Sequence, residues 1–386
     1  MLVHAARAPD QHAGALNPAV YRASTIAYPT VAAYRESEKN RLGHHNRGYG
    51  LHGTPTTFAL EDAIAELEGG TRCVVTGSGL AAITAALIPL LRAGDHLLMV
   101  DSVYGPTRMF CERVLKRQGV SVTYYDPLIG ADIADLMTPD TKVVYTESPG
   151  SLTFEVQDIP AIADAAHKNK ALLVMDNTYG AGMLFRAFDH GVDVSIQAIS
   201  KYVNGHADVM MGSITTVDET LFKTIRQGVA DLGHHTAPDT CYLALRGLRT
   251  LSVRMERHQE TALKLAHWFS GQPVVERVLH PAFESCPGHD TWERDFTGSN
   301  GLFSVVFKPA SDDEVSAMLD GLELFAIGES WGGFESLVLP VRPERIRTAT
   351  SWASKGPVIR FHAGLEDPDD LIADLQAGLQ RLNPDA

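Results

Sequence analysis

Six short apolar runs limit what this chain can fold into. They cover residues 72–76, 96–100, 120–125, 142–146, 172–175 and 192–198, and polar turns end them. Helical spacing fills several of the gaps. Phe58, Leu60, Ala63, Ile64 and Leu67 recur at the period of one helix face. Residues 81–91 read as a buried helix, and 106–118 and 159–169 as further helices. Strand and helix in alternation predict an α/β fold, with a mostly parallel sheet covered by helices on both faces.

The pattern changes at both ends. Residues 1–55 are weakly periodic and rich in polar residues and histidine, which predicts an arm. Residues 56–240 carry the alternation. Beyond 241 the chain predicts a smaller α+β domain. A long helix is expected over 240–270, strands over 301–307 and 358–362, and amphipathic helices over 312–322 and 369–382.

Composition excludes some function classes. The chain has 386 residues, 45% hydrophobic and 21% charged, as an ordinary globular enzyme does. A formal net charge of −14 with no basic block argues against nucleic-acid binding. No apolar run approaches the roughly 18–20 residues that span a bilayer, and residues 1–10 lack the apolar core of a secretory signal. Cys73, Cys111, Cys241 and Cys286 are scattered, with no Cys-x-x-Cys pair. A reducing cytoplasm fits them, and no zinc motif is expected. The pairs His44-His45 and His234-His235 lack helical i, i+4 spacing, so they are expected at a surface or interface rather than on a metal.

Two strand ends carry chemistry. The run 192–198 leads into Ile199-Ser200-Lys201, and the run 172–175 ends in Asp176-Asn177-Thr178. Open α/β sheets hold ligands at the carboxyl ends of their strands. A lysine and an aspartate placed there suit pyridoxal phosphate (PLP). The lysine joins the aldehyde, and the aspartate keeps the pyridine nitrogen protonated. Gly77-Ser78-Gly79-Leu80-Ala81-Ala82 follows a strand and opens a helix, with Asp101 ending the next strand. This turn has three readings: an NAD fingerprint with Asp101 on a ribose, a plain tight turn, or a helix N-terminus holding one phosphate.

With these motifs the chain resembles the PLP-dependent trans-sulfuration enzymes of the aspartate aminotransferase fold type, and within them the cystathionine β-lyases. The resemblance runs from about Tyr49 to Leu382. It rests on Tyr49-Gly50 with Gly53-Thr54-Pro55-Thr56, Gly77-Ser78-Gly79-Leu80, the segment from Asp101 to Thr107, and Glu147-Ser148-Pro149-Gly150-Ser151. It continues through Asp176-Asn177-Thr178, Ser200-Lys201, Ser330-Trp331-Gly332-Gly333-Phe334-Glu335-Ser336 and the segment from Arg360 to Asp367.

The resemblance implies a seven-stranded sheet and a homotetramer whose dimers share active sites. It implies Lys201 as the PLP-bearing lysine and proton shuttle, and Asp176 on the pyridine nitrogen. Tyr104 would stack on the ring and serve in catalysis. Gly79, Leu80 and Ser200 would hold the phosphate, and Tyr49 would reach a neighbouring subunit's site. Arg360 would clamp the substrate carboxylate, with Ser151, Ser330, Trp331 and Glu329 beside the substrate. The implied reaction is β-elimination from cystathionine or a related cysteine S-conjugate, giving pyruvate, ammonia and a thiol. γ-Elimination or γ-replacement is the alternative.

Three positions depart from the pattern. Leu51 stands where many relatives have a phosphate-binding arginine, leaving His52 or Arg47 as substitutes. Glu329 resembles the γ-type enzymes. Met109 stands where some β-lyases place an acid for the distal amine of cystathionine.

Overall fold

The computed structural model describes residues 2–46 and 48–382; Arg47 lies outside them. The apolar runs become β1 (Arg72–Thr76), β2 (His96–Val100), β3 (Ser121–Tyr125), β4 (Thr141–Glu147), β5 (Leu172–Asp176) and β6 (Val194–Gln197). A seventh strand, β7 (Gly212–Thr216), completes a sheet of order β1-β7-β6-β5-β4-β2-β3. β7 runs antiparallel to both neighbours, and β2 to β6 pair in parallel. Its sequence, Gly-Ser-Ile-Thr-Thr, offers one large apolar side chain, so it lacks the apolar run that marked the others. All five of its residues are nonetheless buried.

A second sheet follows. β8 (Val275–Leu279), β9 (Leu302–Phe307), β10 (Ala326–Ile327), β11 (Leu337–Val341) and β12 (Val358–His362) lie in the order β10-β11-β12-β9-β8. Successive side chains of β12 alternate between faces. Ile359 and Phe361 enter a core built with the helices Leu251–Ser270, Asp312–Asp320 and Pro368–Leu382. Arg360 and His362 take the other face.

The long helix expected over 240–270 is two helices, Pro238–Leu248 and Leu251–Ser270. The break has a physical cause. A Cβ on Gly247 would lie 2.1 Å from the Asn204 carbonyl oxygen, so this backbone is pressed onto the chain that follows Lys201. The arm also differs from a plain extended segment. It contains a helix, Val31–Glu38, capped by Thr30, that buries none of its own side chains. Among the described residues no helix is long and apolar enough to cross a membrane.

The topology removes the NAD reading of the glycine turn. β1 and β2 are five steps apart in the sheet. At about 4.8 Å per strand that is roughly 24 Å, too far for Asp101 to hold a ribose whose phosphates sit at Gly77–Gly79. Asp101 is also fully occupied. It is buried and pairs with Arg108 at 2.5 Å. It also accepts the backbone N–H groups of Thr348, Ala349 and Thr350. These bonds and the Arg108 charge hold its carboxyl below the usual range against the cost of burial. A carboxylate with a lowered pKa stabilises the fold above the unfolded value and loses that contribution as pH falls. Asp101→Ala is expected to cost about 3–5 kcal/mol at pH 7 by leaving Arg108 unpaired. In urea titrations at one protomer concentration, the gap to wild type should close as pH drops below about 4.

Candidate active site

Five chain segments meet at the carboxyl edge of the first sheet. β4 ends in Glu147 and β5 in Asp176, and these two acids are register partners on adjacent strands. β6 leads through a turn to Lys201. Gly79 opens a helix just after β1, and Tyr104 precedes the helix Gly105–Phe110 that follows β2. From the second sheet, Arg360 and the segment 330–335 close the cleft.

Lys201 is largely desolvated. Burial, then Arg360, lowers its pKa to about 8, with Asp176 and Glu329 opposing. Its Nζ lies 2.5 Å from Ser330 Oγ and 5.2 Å from the centre of the Trp331 ring. The Arg360 guanidinium donates to the Ser330 carbonyl at 3.0 Å. Burial pushes the Arg360 pKa down to about 10, against Glu329 and Tyr104. Both cations therefore stand on one residue, Ser330, which adopts a positive φ of 81°.

The acids and the tyrosine complete the cleft. Asp176 Oδ1 accepts the Thr178 N–H at 3.0 Å and its hydroxyl at 2.5 Å. Burial raises the Asp176 carboxyl above its usual range, against those bonds and Lys201. Glu147 Oε2 accepts the Tyr104 N–H at 2.7 Å. Burial, then the neighbouring Asp176, pushes the Glu147 carboxyl well up. Burial, then Glu329, Glu147 and Asp176, raises the Tyr104 phenol, which stays neutral.

The residues fit PLP. A Cβ on Gly79 would lie 2.7 Å from Ala198 Cβ, so the helix Gly79–Leu90 begins hard against the end of β6. Ser78 caps that helix through the Ala81 N–H. Gly79 and Leu80 lie in its first turn, where N–H groups have no acceptor within the helix and suit a phosphate. Both Thr178 bonds go to one oxygen of Asp176, which leaves the other for a ring N–H. Ser200 is less free than expected. Its hydroxyl accepts the Met211 N–H at 2.9 Å and donates to the Met211 carbonyl at 3.1 Å.

Other expected residues lie further out. The Ser151 N–H is bonded to the Ser102 carbonyl at 2.8 Å. Tyr49 is 45% exposed. His52 lines a small cavity with Leu51, Glu61 and Arg226. Burial, Arg41 and Arg226 lower its pKa, which makes it a poor substitute for a phosphate-binding arginine. His44 and His45 come together on Asp62, their Nε2 atoms at 3.2 and 2.9 Å from its two oxygens.

Three supporting residues were not singled out in the sequence. Glu147 holds the Tyr104 N–H from the end of β4, beside Asp176. Arg254 donates to the carbonyls of Tyr202 at 2.7 Å and Gly247 at 2.8 Å, bracing the chain after Lys201. Its signal was a charged residue on the apolar stripe of Leu251, Met255, His258 and Ala262. His362 sits two residues beyond Arg360, on the same strand face.

The family model for Cys/Met metabolism PLP-dependent enzymes matches residues 1–380. A putative cystathionine β-lyase of Rhizobium johnstonii is 46% identical, over 98% of this chain and 94% of its own length. The cystathionine β-lyase MetC of Escherichia coli K12 is 43% identical, over 99% and 98%. The crystal structure of metB from Corynebacterium glutamicum superposes with a TM-score of 0.91 at 28% identity, covering 99% of this chain and 97% of that one. With its fold, its cleft and these relatives in agreement, the chain belongs to the PLP-dependent enzymes of Cys/Met metabolism.

Proposed function

We propose that this enzyme is a carbon–sulfur β-lyase that cleaves cystathionine, or a related cysteine S-conjugate, to pyruvate, ammonia and a thiol. The observation that carries the reading is a desolvated lysine that shares Ser330 with an arginine and feels the charge of a buried aspartate. When bound, PLP supplies an electron sink that stabilises charge at the substrate Cα. Lys201 and Asp176 would hold it, with Tyr104 against its ring and the Gly79–Leu80 turn at its phosphate.

The chain's own groups then divide the work. Arg360 takes the substrate carboxylate and so fixes the Cα–H bond relative to Lys201. Lys201 Nζ, with its pKa lowered to about 8, is a base near neutral pH and removes the Cα proton. Its Ser330 partner keeps the amine over the reacting atoms. The leaving sulfur takes its proton from Lys201 or from the Tyr104 hydroxyl. Trp331 lines the cleft 5.2 Å from the lysine amine, and release of pyruvate and ammonia consumes one water from solvent. Glu329, at the cleft mouth, reaches the distal part of the substrate.

We also assign residues 1–55 to an arm, 56–240 to a PLP-binding domain and 241–386 to a C-terminal domain, in a cytoplasmic homotetramer. Val31 and Tyr34 are exposed one turn apart on an arm helix that buries none of its own side chains, and this shared apolar face supports assembly. Sedimentation is expected at the tetramer mass, and a fully active monomer would overturn the assembly.

Product analysis tests the reaction. Cystathionine should give pyruvate and homocysteine. If 2-oxobutyrate dominates, and is lost in Glu329→Tyr, the enzyme is of the γ type. The carboxylate site is tested by Arg360→Gln. Losing a desolvated bidentate pair should cost about 2–5 kcal/mol in kcat/KM. The same change should alter the pH profile. Lys201 acts as the neutral amine, so kcat should rise with pH along one limb as that amine deprotonates. Arg360 lowers the Lys201 pKa, so Arg360→Gln should move the limb to higher pH. Glu329→Gln should move it to lower pH.

A further inference from the structure

His362 takes no part in the chemistry above, yet both of its ring nitrogens are committed to the segment that carries Ser330 and Trp331. Nε2 accepts the Gly332 N–H at 2.9 Å, and Nδ1 lies 3.2 Å from the Glu335 carbonyl. The Gly332 amide can only donate and the Glu335 carbonyl can only accept. One tautomer satisfies both, with the proton on Nδ1. The ring is 1% exposed and packs against His258 and Tyr202. Burial and the nearby His258, Arg360 and Lys201 lower its pKa well below the ordinary value, so Nε2 keeps its lone pair.

The backbone it grips lies directly on the reactive turn. Gly332 has φ +83°, and a Cβ there would lie 2.8 Å from Tyr202 N and 2.9 Å from the Lys201 carbonyl carbon. Movement of Gly332 is therefore movement against Lys201. The far side of the segment has its own anchor, because Glu366 accepts the Ser336 N–H and hydroxyl. His362 serves the near side, and it shares a strand face with Arg360.

We propose that His362 is a positioning residue, which, with its proton on Nδ1, ties Gly332 and Glu335 to the Arg360 strand and so holds Ser330 and Trp331 over Lys201. The inference rests on the substrate carboxylate binding at Arg360.

The test uses the PLP-loaded enzyme with His362→Leu and His362→Gln. The glutamine amide can place an acceptor near the Nε2 position; leucine cannot. Amide hydrogen exchange of the peptide spanning 330–335 should be slow in wild type and near wild type in His362→Gln. In His362→Leu it should be at least about tenfold faster. KM for the amino acid should rise about 10–100-fold in His362→Leu, with a smaller fall in kcat, and His362→Gln should restore most of it. The proposal is overturned if residues 330–335 exchange in wild type at exposed-loop rates, or if the leucine variant exchanges like wild type. It is equally overturned if glutamine is as damaging as leucine. If the leucine variant does not fold, wild-type exchange and the glutamine variant still decide. Exchange needs no substrate. Faster exchange with unchanged KM would therefore uphold the anchor and overturn the carboxylate site.

Discussion

Two cations and two acids share one desolvated cleft, and the rest of the site follows from their balance. Lys201 and Arg360 stand on Ser330; Asp176 and Glu147 end neighbouring strands. Burial alone pushes each group toward its neutral form. The lysine answers most usefully, because a pKa of about 8 makes it both a good nucleophile and a usable base. Arg360 at about 10 remains charged at neutral pH and can still bind a carboxylate. Glu147 is driven hardest toward the neutral acid, which leaves Asp176 as the carboxylate best placed to face a positive ring nitrogen. Burial thus raises both carboxyls at one strand edge, and the neighbouring Asp176 raises Glu147 further.

Such a balance survives only if the groups cannot relax away from one another. The scaffold prevents this by attaching the chain after Lys201 to the helices Pro238–Leu248 and Leu251–Ser270. Arg254 brings a buried guanidinium to the carbonyls of Tyr202 and Gly247. Gly205, at φ +71°, admits that guanidinium, since a Cβ there would lie 1.9 Å from Arg254 Nη1. The break between the helices Pro238–Leu248 and Leu251–Ser270 belongs to the same device. It lets Gly247 close onto Asn204 while Arg254 turns back. Unpaired, a buried guanidinium would cost several kcal/mol; here three backbone carbonyls take its protons.

The parts legible in the sequence were those with a local signature. Apolar runs located six strands of the first sheet, and Lys201 and Asp176 stood at strand ends because parallel sheets bring those ends together. β7 escaped because its residues are small and hydroxylated, and its burial comes from the strands on either side. Sheet order escaped for a related reason. Residues 77–82 and Asp101 lie close in sequence, which left a nucleotide reading open, but β7, β6, β5 and β4 stand between β1 and β2 and put Asp101 five steps away. Glu147, Arg254 and His362 act through bonds to backbone groups far along the chain. No periodicity records such a bond; only a polar residue on an apolar face hints at it.

The two departures on the substrate side have a joint explanation on the proposed reading. Met109 cannot meet the distal ammonium of cystathionine, and it sits 43% exposed on the helix after Tyr104. Glu329 lies one residue before Ser330, where it feels Lys201, Tyr104 and Arg360. In the free enzyme its charge partly neutralises Arg360. A bound substrate carboxylate takes over that guanidinium and releases Glu329 from its nearest compensation. A distal ammonium would then restore the balance, whereas an apolar thioether tail would leave a carboxylate unpaired beside a carboxylate. The acid moved from one wall of the cleft to the other thus favours a substrate with charge at both ends. It also ties that preference to the residue that carries the lysine.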